Sequence, residues 1–174
     1  MTQTDKADRL TLRALEPEDI DTMYLWENDV TEWYSRQNMT PTSRHQIWQY
    51  IQSYDGCLYG GNQLRLMICL ADGTSIGTVD LYDIDSANHR AWVGIYIAPQ
   101  WRNQGYAREA LYNISHYAYD YLNISHLAAE VAADNVPSCR LFETSGYSFG
   151  GCLRAWRYYR GCAHDVCIYQ YVCK

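Results

Sequence analysis

The sequence predicts a single mixed α/β domain with elements in the order β-α-α-β-β-β-α-β-α-β-β. Three observations carry that reading. Short stretches that alternate apolar and polar residues recur along the chain, as in LTLRAL and SIGTVDLYDID. Between them lie segments whose apolar residues recur at helical spacing. Near the middle, IAPQWRNQGYAREAL passes from strand to helix through a polar turn holding one glycine, Gly105. At 174 residues the chain suits one domain, able to bury roughly 68–70% of its unfolded surface without disulfides or metal. No repeat, linker or low-complexity segment divides it, so residues 1–9 read as a tail and 10–174 as one domain.

Each element follows from local pattern. Leu10 to Leu15 alternates as a first strand. In EPEDIDTMYLWEND, Pro17 and the early carboxylates suit a helix N-terminus, with Ile20, Met23, Tyr24 and Trp26 or Glu27 at helical spacing. A second helix, TPTSRHQIWQYIQSY, is opened by Thr42 or Ser43 as cap. Gly60–Asn62 breaks the chain, and LRLMICLA and SIGTVDLYDID then flank the turn signal DGT. HRAWVGIYIAP is a strand stopped by Pro99. The helix after Gly105 carries the stripe Ala107, Ala110, Leu111, Ile114, Tyr117, Ala118 and Tyr121. SHLAAEVAA is a strand of small residues, and VPSCRLFETSG a short helix closed by Gly146. YSFGGCLRAWRYYRG and HDVCIYQYV are the last two strands.

Charge narrows the partners. With 20 acidic and 14 basic residues the net charge is −6, and no run of Lys or Arg occurs. That argues against nucleic acid or an anionic membrane surface, and agrees equally with a cationic substrate or with solubility alone. Seventeen tyrosines against two phenylalanines supply rings with a polar tip, suited to a half-buried wall or a cleft. Seven cysteines (57, 69, 139, 152, 162, 167 and 173) include no C-x-x-C pair, and their spacing is not that of a zinc site. Alternation along the terminal strands makes most of the last four small core residues. MTQTDKADRL has no apolar signal core, and no run approaches the length of a membrane span. The expectation is a reduced, cytoplasmic protein without metal.

A helix N-terminus presents unpaired N–H groups and the positive end of a dipole. With a glycine allowing close approach it makes an anion site, although a plain strand-to-helix connection would carry the same glycine. RNQGYA would wrap a pyrophosphate with the amides of Asn103, Gln104, Gly105, Tyr106 and Ala107, with Arg102 and Arg108 alongside. RNQGYA also resembles the phosphate-binding signature of the GNAT acetyltransferases. Some thirty residues on, DNVPSCRLFETSGY resembles that family's second signature in Asn135, Ser138, Phe142, Gly146 and Tyr147. The resemblance spans Leu10 to Val172 and is strongest to spermidine/diamine acetyltransferases and ribosomal-protein N-terminal acetyltransferases. It implies a GNAT fold, a central mixed sheet of about seven strands with four helices. It also implies acetyl-CoA as co-substrate, with backbone of Ile95, Tyr96, Ile97 and Ala98, and Asn135, Ser138 and Phe142, contacting it. The acceptor would be a primary amine, either a small polyamine or diamine or a protein N-terminus. A non-catalytic acyl-CoA-binding module is the rival from another class.

Acetyl transfer to an amine requires a proton acceptor, because an alkylammonium of pKa near ~10.4 is scarcely nucleophilic at neutral pH. Asp80 stands where the related polyamine enzymes carry a glutamate. It would bind the ammonium or hold a water, with Tyr82 on its face and Asp83 opposite unless a bulge intervenes; otherwise it caps a loop or meets Arg90. Glu27, Asp29 and Glu32, beside Trp26 and Trp33, would suit an amine by charge and cation–π contact, or are solvated helix-end charge. His89 and His164 are candidate bases or surface histidines. The resemblance puts Phe142 where related enzymes carry a tyrosine that protonates the departing sulfur. Phenylalanine has no such proton, so the acid is unassigned: Tyr147, Ser138 and Cys139 are nearby, each also readable as structural (a core ring, a first-turn helix residue and core filler), and other tyrosines remain. Terminal strands rich in Tyr, Trp and Cys suit a homodimer contact.

Overall fold

Among the described residues seven strands form: β1 (Leu10–Arg13), β2 (Gln63–Leu70), β3 (Ser75–Asp85), β4 (Arg90–Ile97), β5 (His126–Ala132), β6 (Ser148–Tyr159) and β7 (Cys162–Val172). They make one mixed sheet in the order β1-β2-β3-β4-β5-β7-β6. Every neighbouring pair is antiparallel except β4 with β5. The computed structural model describes residues 9–32, 40–53 and 63–173. Trp33, Cys57, the Gly60–Asn62 break and tail residues 1–8 lie outside the described residues.

Among the described residues four helices accompany the sheet: α1 (Ile20–Glu27), α2 (Arg44–Ser53), α3 (Tyr106–Leu122) and α4 (Val136–Thr144). α1 is preceded by a short 3-10 turn, Pro17–Asp19. Ser43 caps α2 reciprocally: its Oγ accepts from the Gln46 N–H at 3.1 Å, and Gln46 Oε1 accepts from the Ser43 N–H at 2.8 Å. Gly146, at φ +89, closes α4, and the Tyr147 N–H returns to the Phe142 carbonyl at 3.1 Å. The sheet alternates between two cores. Val79, Leu81, Ala91, Val93, Leu127, Ala129 and Val131 pack with Ala110, Leu111 and Ile114 of α3 and Phe142 of α4. On the other face Met67 and Cys69 pack with Met23 of α1 and Ile47 of α2. Period-two alternation therefore sends Arg65, Asp80, Tyr82, Gly94, Tyr96 and Glu130 to the α1–α2 face.

Three readings are corrected. β1 ends at Arg13 rather than Leu15. Tyr117 and Tyr121 fall outside the buried stripe of α3, 37% and 78% exposed and stacked on each other, while Ser115 is buried instead. Ser115 is accommodated because its hydroxyl donates to the Leu111 carbonyl at 2.7 Å. The terminal cysteines are not core residues as a group: Cys152 and Cys162 are exposed, Cys167 and Cys173 half-buried. β6 is the sheet edge, so one side of it has no strand to bury against.

Two features hold the frame. At Gly77, a Cβ would stand 2.1 Å from the Tyr96 carbonyl oxygen of β4, so only glycine lets β3 and β4 pair there. Arg13 donates to both Asp19 carboxylate oxygens at 2.6 and 2.8 Å, and the Glu16 N–H adds 2.9 Å, fixing β1 to the turn that starts α1. Burial alone would raise the pKa of Asp19, but the Arg13 and Glu16 hydrogen bonds outweigh it and hold the carboxyl below its ordinary value. Gly77→Ala should cost roughly 3 kcal/mol by forcing backbone apart, read as a lowered midpoint in denaturant. Asp19→Asn should cost roughly 2 kcal/mol at neutral pH. Because the folded pKa is depressed, that stabilisation is present above the unfolded carboxylate range and is lost as pH falls through the folded value. Thermal scans of parent and variant should therefore converge in acid; a constant gap would contradict the pair's role.

Candidate active site

β4 and β5 pair only over Arg90–His126, Ala91–Leu127 and Trp92–Ala128. Beyond Trp92 the strands part: β4 continues on β3 through Ile97, while β5 continues on β7 through Ala132. The fork opens a cleft of about 1000 Å³, lined on one lip by Val93–Ile97 and on the other by Glu130–Ala132. Of the predicted cofactor contacts, all but Ala98 and Gln104 are thus brought to one cavity, Ile95, Tyr96 and Ile97 on the β4 lip and Gly105 at the turn among them. Ala98 is buried outside the lining, and its N–H is bonded to the Ile76 carbonyl at 2.9 Å.

The polar turn sits at the cleft's end. Asn103 and Gly105 take positive φ, +61 and +84, and this double reversal aims the chain into α3. Arg102, Asn103, Gly105, Tyr106, Ala107 and Arg108 line the cleft, while Gln104 does not. Gln104 instead reaches the Gln100 carbonyl through its side chain at 3.3 Å, and its own carbonyl accepts from Arg9 at 3.4 Å. Arg9 also pairs with Glu109 in the first turn of α3 at 2.7 Å. Arg102 is turned onto the wall: Nε donates to the Ile97 carbonyl at 2.8 Å, and Nη2 meets Glu32 at 2.9 Å. Asn135 caps α4, its Oδ1 accepting the Ser138 N–H at 3.2 Å, and both residues line the cleft. The open backbone edge of β4, the α3 N-terminus and the guanidinium groups of Arg102, Arg108 and Arg140 fit a long ligand with an anionic end.

Across the sheet the α1–α2 face forms a row. Arg65 stands opposite Asp80, and Asp80 opposite Gly94. Continuing the parallel register two residues past Trp92–Ala128 puts Glu130 on the far lip from Gly94. Gly94 has no side chain, so a gap lies between Asp80 and Glu130; Tyr82 Cε1 would be 3.6 Å from a Cβ placed there. A bulge in β3 between Tyr82 and Asp85, with Asp83 at φ +48, puts Asp83 into the same cleft as Tyr82. Burial, with Glu130, Asp83 and Asp80 nearby, pushes the Tyr82 phenol well above its ordinary pKa.

Asp80 does not meet Arg90, which pairs with Asp85 at 3.0 Å. Its partner is Arg65, whose Nε lies 2.5 Å from Asp80 Oδ1 and whose Nη1 lies 3.0 Å from Glu27 Oε1. Gln63 adds a donor to Asp80 at 3.3 Å. Burial works against the Arg65 charge, but Asp80 and Glu27 more than offset it, so the guanidinium is held above its ordinary pKa.

Other called residues do not reach the cleft. Asp29 closes a local turn, accepting from the Thr31 N–H at 3.0 Å and hydroxyl at 2.6 Å. Phe142 lines the cleft, but Tyr147 points into the aromatic core, its ring 5.1 Å from Phe142 and 5.2 Å from Tyr171. Burial pushes the Tyr147 phenol up, Ser115 only partly opposing it. His89 binds the Asn123 carbonyl at 2.8 Å and His164 meets Asp134 at 3.2 Å, neither in the cleft. Cys139 also lies outside it. The sequence reading missed Arg65, Glu130, Arg140 and Arg157, all of which line the cleft. For Glu130 the signal was available: alternation from buried Leu127 and Ala129 places it on the open face. Among the described residues no cluster of three or more His, Cys, Asp or Glu side chains could hold a metal.

The acetyltransferase (GNAT) domain family matches residues 9–148. The uncharacterized N-acetyltransferase YoaA of Bacillus subtilis (strain 168) is 31% identical over 171 residues, covering 96% of this chain and 95% of that protein. The putative ribosomal N-acetyltransferase YdaF of the same organism is 24% identical over 178 residues, covering 94% and 91%. Among solved structures, the spermidine N-acetyltransferase from Vibrio cholerae in complex with CoA and spermine superposes with a TM-score of 0.83. It is 24% identical and covers 94% of this chain and 95% of that one, a likeness of fold. With its forked sheet, its glycine turn and a matching domain over most of its length, the chain belongs to the GNAT family of N-acetyltransferases.

Proposed function

We propose that the chain moves an acetyl group from acetyl-CoA to a primary amine of a small molecule, of the polyamine or diamine kind, and does so in the cytoplasm as a single domain spanning residues 10–174. The observation that carries this reading is the polarity of the cleft at the fork. Guanidinium groups and a helix N-terminus stand at the turn after β4, and carboxylates of α1, β3 and β5 stand on the other side of the fork.

Acetyl-CoA supplies the thioester. The amides of Asn103 and Gly105 to Ala107, with Arg108 and Arg140, hold its anionic end. Backbone groups of Val93–Ile97 left without β5 partners orient the extended arm and polarise the carbonyl. The amine approaches over Gly94 from the α1–α2 face. Asp80 is committed to Arg65, so its part is to shape that face. The Glu130 side chain makes no hydrogen bond or ion pair among the described residues and stands on the far lip, so it takes the ammonium's proton, directly or through one water; the free amine then attacks the thioester carbonyl, the C–S bond breaks, and the second proton shed by the nitrogen goes to the departing sulfur. Phe142 contributes packing under the cofactor helix. Tyr82, kept protonated, closes the floor beside Gly94.

A protein α-amine is the second reading; the Arg65 pairing, which removes one carboxylate from the acidic wall, favours it. On the edge strand β6, Phe149, Trp156 and Tyr158 are 58%, 65% and 68% exposed, and we assign them to a contact with a second copy. Sedimentation at micromolar concentration should give a dimer or larger, and a clean monomer would exclude the contact.

Turnover should be followed as thiol release with spermidine, spermine, putrescine and short peptides bearing free N-termini. Amine-dependent release is expected; tight cofactor binding without release for any amine would make the chain a binding module. Glu130→Gln should lower kcat roughly 100-fold or more while acetyl-CoA affinity stays within about twofold. With the base gone, only free amine reacts, so the variant's rate should climb with pH toward the amine pKa near ~10.4 and approach the parent's. An unchanged profile would remove Glu130 from the reaction. Gly105→Ala places a side chain at φ +84 and should weaken acetyl-CoA roughly tenfold by calorimetry, from strain of about 1–2 kcal/mol in the cradle.

A further inference from the structure

Along the α1–α2 face, an acceptor with its reacting nitrogen over Gly94 and its chain running toward β3 and β2 would pass Asp80, one strand away, and then meet Arg65, two strands away, at steps of roughly 4.8 Å. The place between the Asp80 and Glu27 carboxylates is where a second ammonium of such an acceptor would bind. It is already filled by a guanidinium, 2.5 Å from Asp80 and 3.0 Å from Glu27. The three side chains are only 13–23% exposed, so solvent screens the arrangement weakly. The Tyr50 ring of α2 lies 5.8 Å from the guanidinium carbon and covers it from above.

Resting on the amine-acetyltransferase reading above, we infer that Arg65 is a specificity-determining residue: a built-in cation that takes the seat of a distal ammonium and so selects acceptors carrying few positive charges. A like charge meeting Arg65 in a weakly screened site is repelled, and the carboxylates that would reward it are spent. The same guanidinium bridges β3 to α1, so it also fixes the wall against which the acceptor lies. Its charge, rather than its exact shape, sets the selection.

Removing Arg65 alone would leave two facing carboxylates and endanger folding. The test therefore uses Arg65→Met with Glu27→Gln, which keeps the local charge of this trio at its parental value and frees Asp80. Arg65→Lys serves as the conservative variant. The readout is the ratio of kcat/KM for spermine to that for putrescine. In the double variant the ratio should rise at least tenfold, and in Arg65→Lys it should stay near the parent's. A ratio within twofold of the parent's in the double variant, or a fall, would overturn the inference. Thermal scans with spermine read the seat independently of turnover: spermine should raise the melting temperature of the double variant more than that of the parent. Equal shifts would count against the inference. A parent that turns over no amine yet shows the difference in shifts would instead remove the acetyltransferase reading and leave the seat in place.

Discussion

Everything functional in this molecule depends on one interruption of backbone hydrogen bonding, the parting of β4 from β5 after Trp92 and Ala128. A strand edge inside a sheet is costly when its N–H and C=O groups find no partner. Here each strand keeps a partner on its outer side, β3 for one and β7 for the other, so the sheet survives while a slot opens inside it. The slot explains why two helices begin where they do. α3 starts at the end of the β4 lip and α4 at the end of the β5 lip, so both N-termini converge on the mouth. Gly77 keeps β3 pressed on β4 beneath it, and Arg13–Asp19 secures the helical cover at the other side.

Electrostatics then divides the cleft. Arg102, Arg108 and Arg140 belong to the turn after β4 and to α3 and α4, and Glu32 meets Arg102 there. Glu27, Asp80, Asp83 and Glu130 line the rest of the cleft, together with Arg65 and Arg157. The acidity is therefore local and partly neutralised, not a continuous acidic channel. Arg65 and Arg102 each hold a carboxylate across the cleft, and these ion pairs tie α1 and the segment after it to the sheet.

Much of this was legible in sequence because it is local. The alternation in SIGTVDLYDID gave β3 its exact span, and the glycine turn marked the start of α3. Pairing across strands was harder to read. Counting back from Cys69–Ser75 without an extra residue would set Asp80 against Leu64; the irregularity between Ile68 and Cys69 shifts the register by one and brings Arg65 there instead. A second bulge carries Asp83 to the face that strict alternation denies it. Tyr147 illustrates a different limit. Its nearness in sequence to Phe142 said nothing of direction, and the left-handed turn at Gly146 sends it into the aromatic core. Tyr117 and Tyr121 fit helical spacing, yet the stripe that faces the sheet is narrower and closes with Ser115.

The most direct test of the central claim is amide hydrogen exchange across the whole chain, with and without acetyl-CoA. The account predicts new protection at both places the fork joins: the β4 backbone from Gly94 to Ile97 and the turn amides from Asn103 to Ala107. Protection confined to the turn would mean that the cradle binds an anion but the fork does not hold the arm. Protection at neither would contradict the assignment of the interrupted strand pair as the cofactor slot.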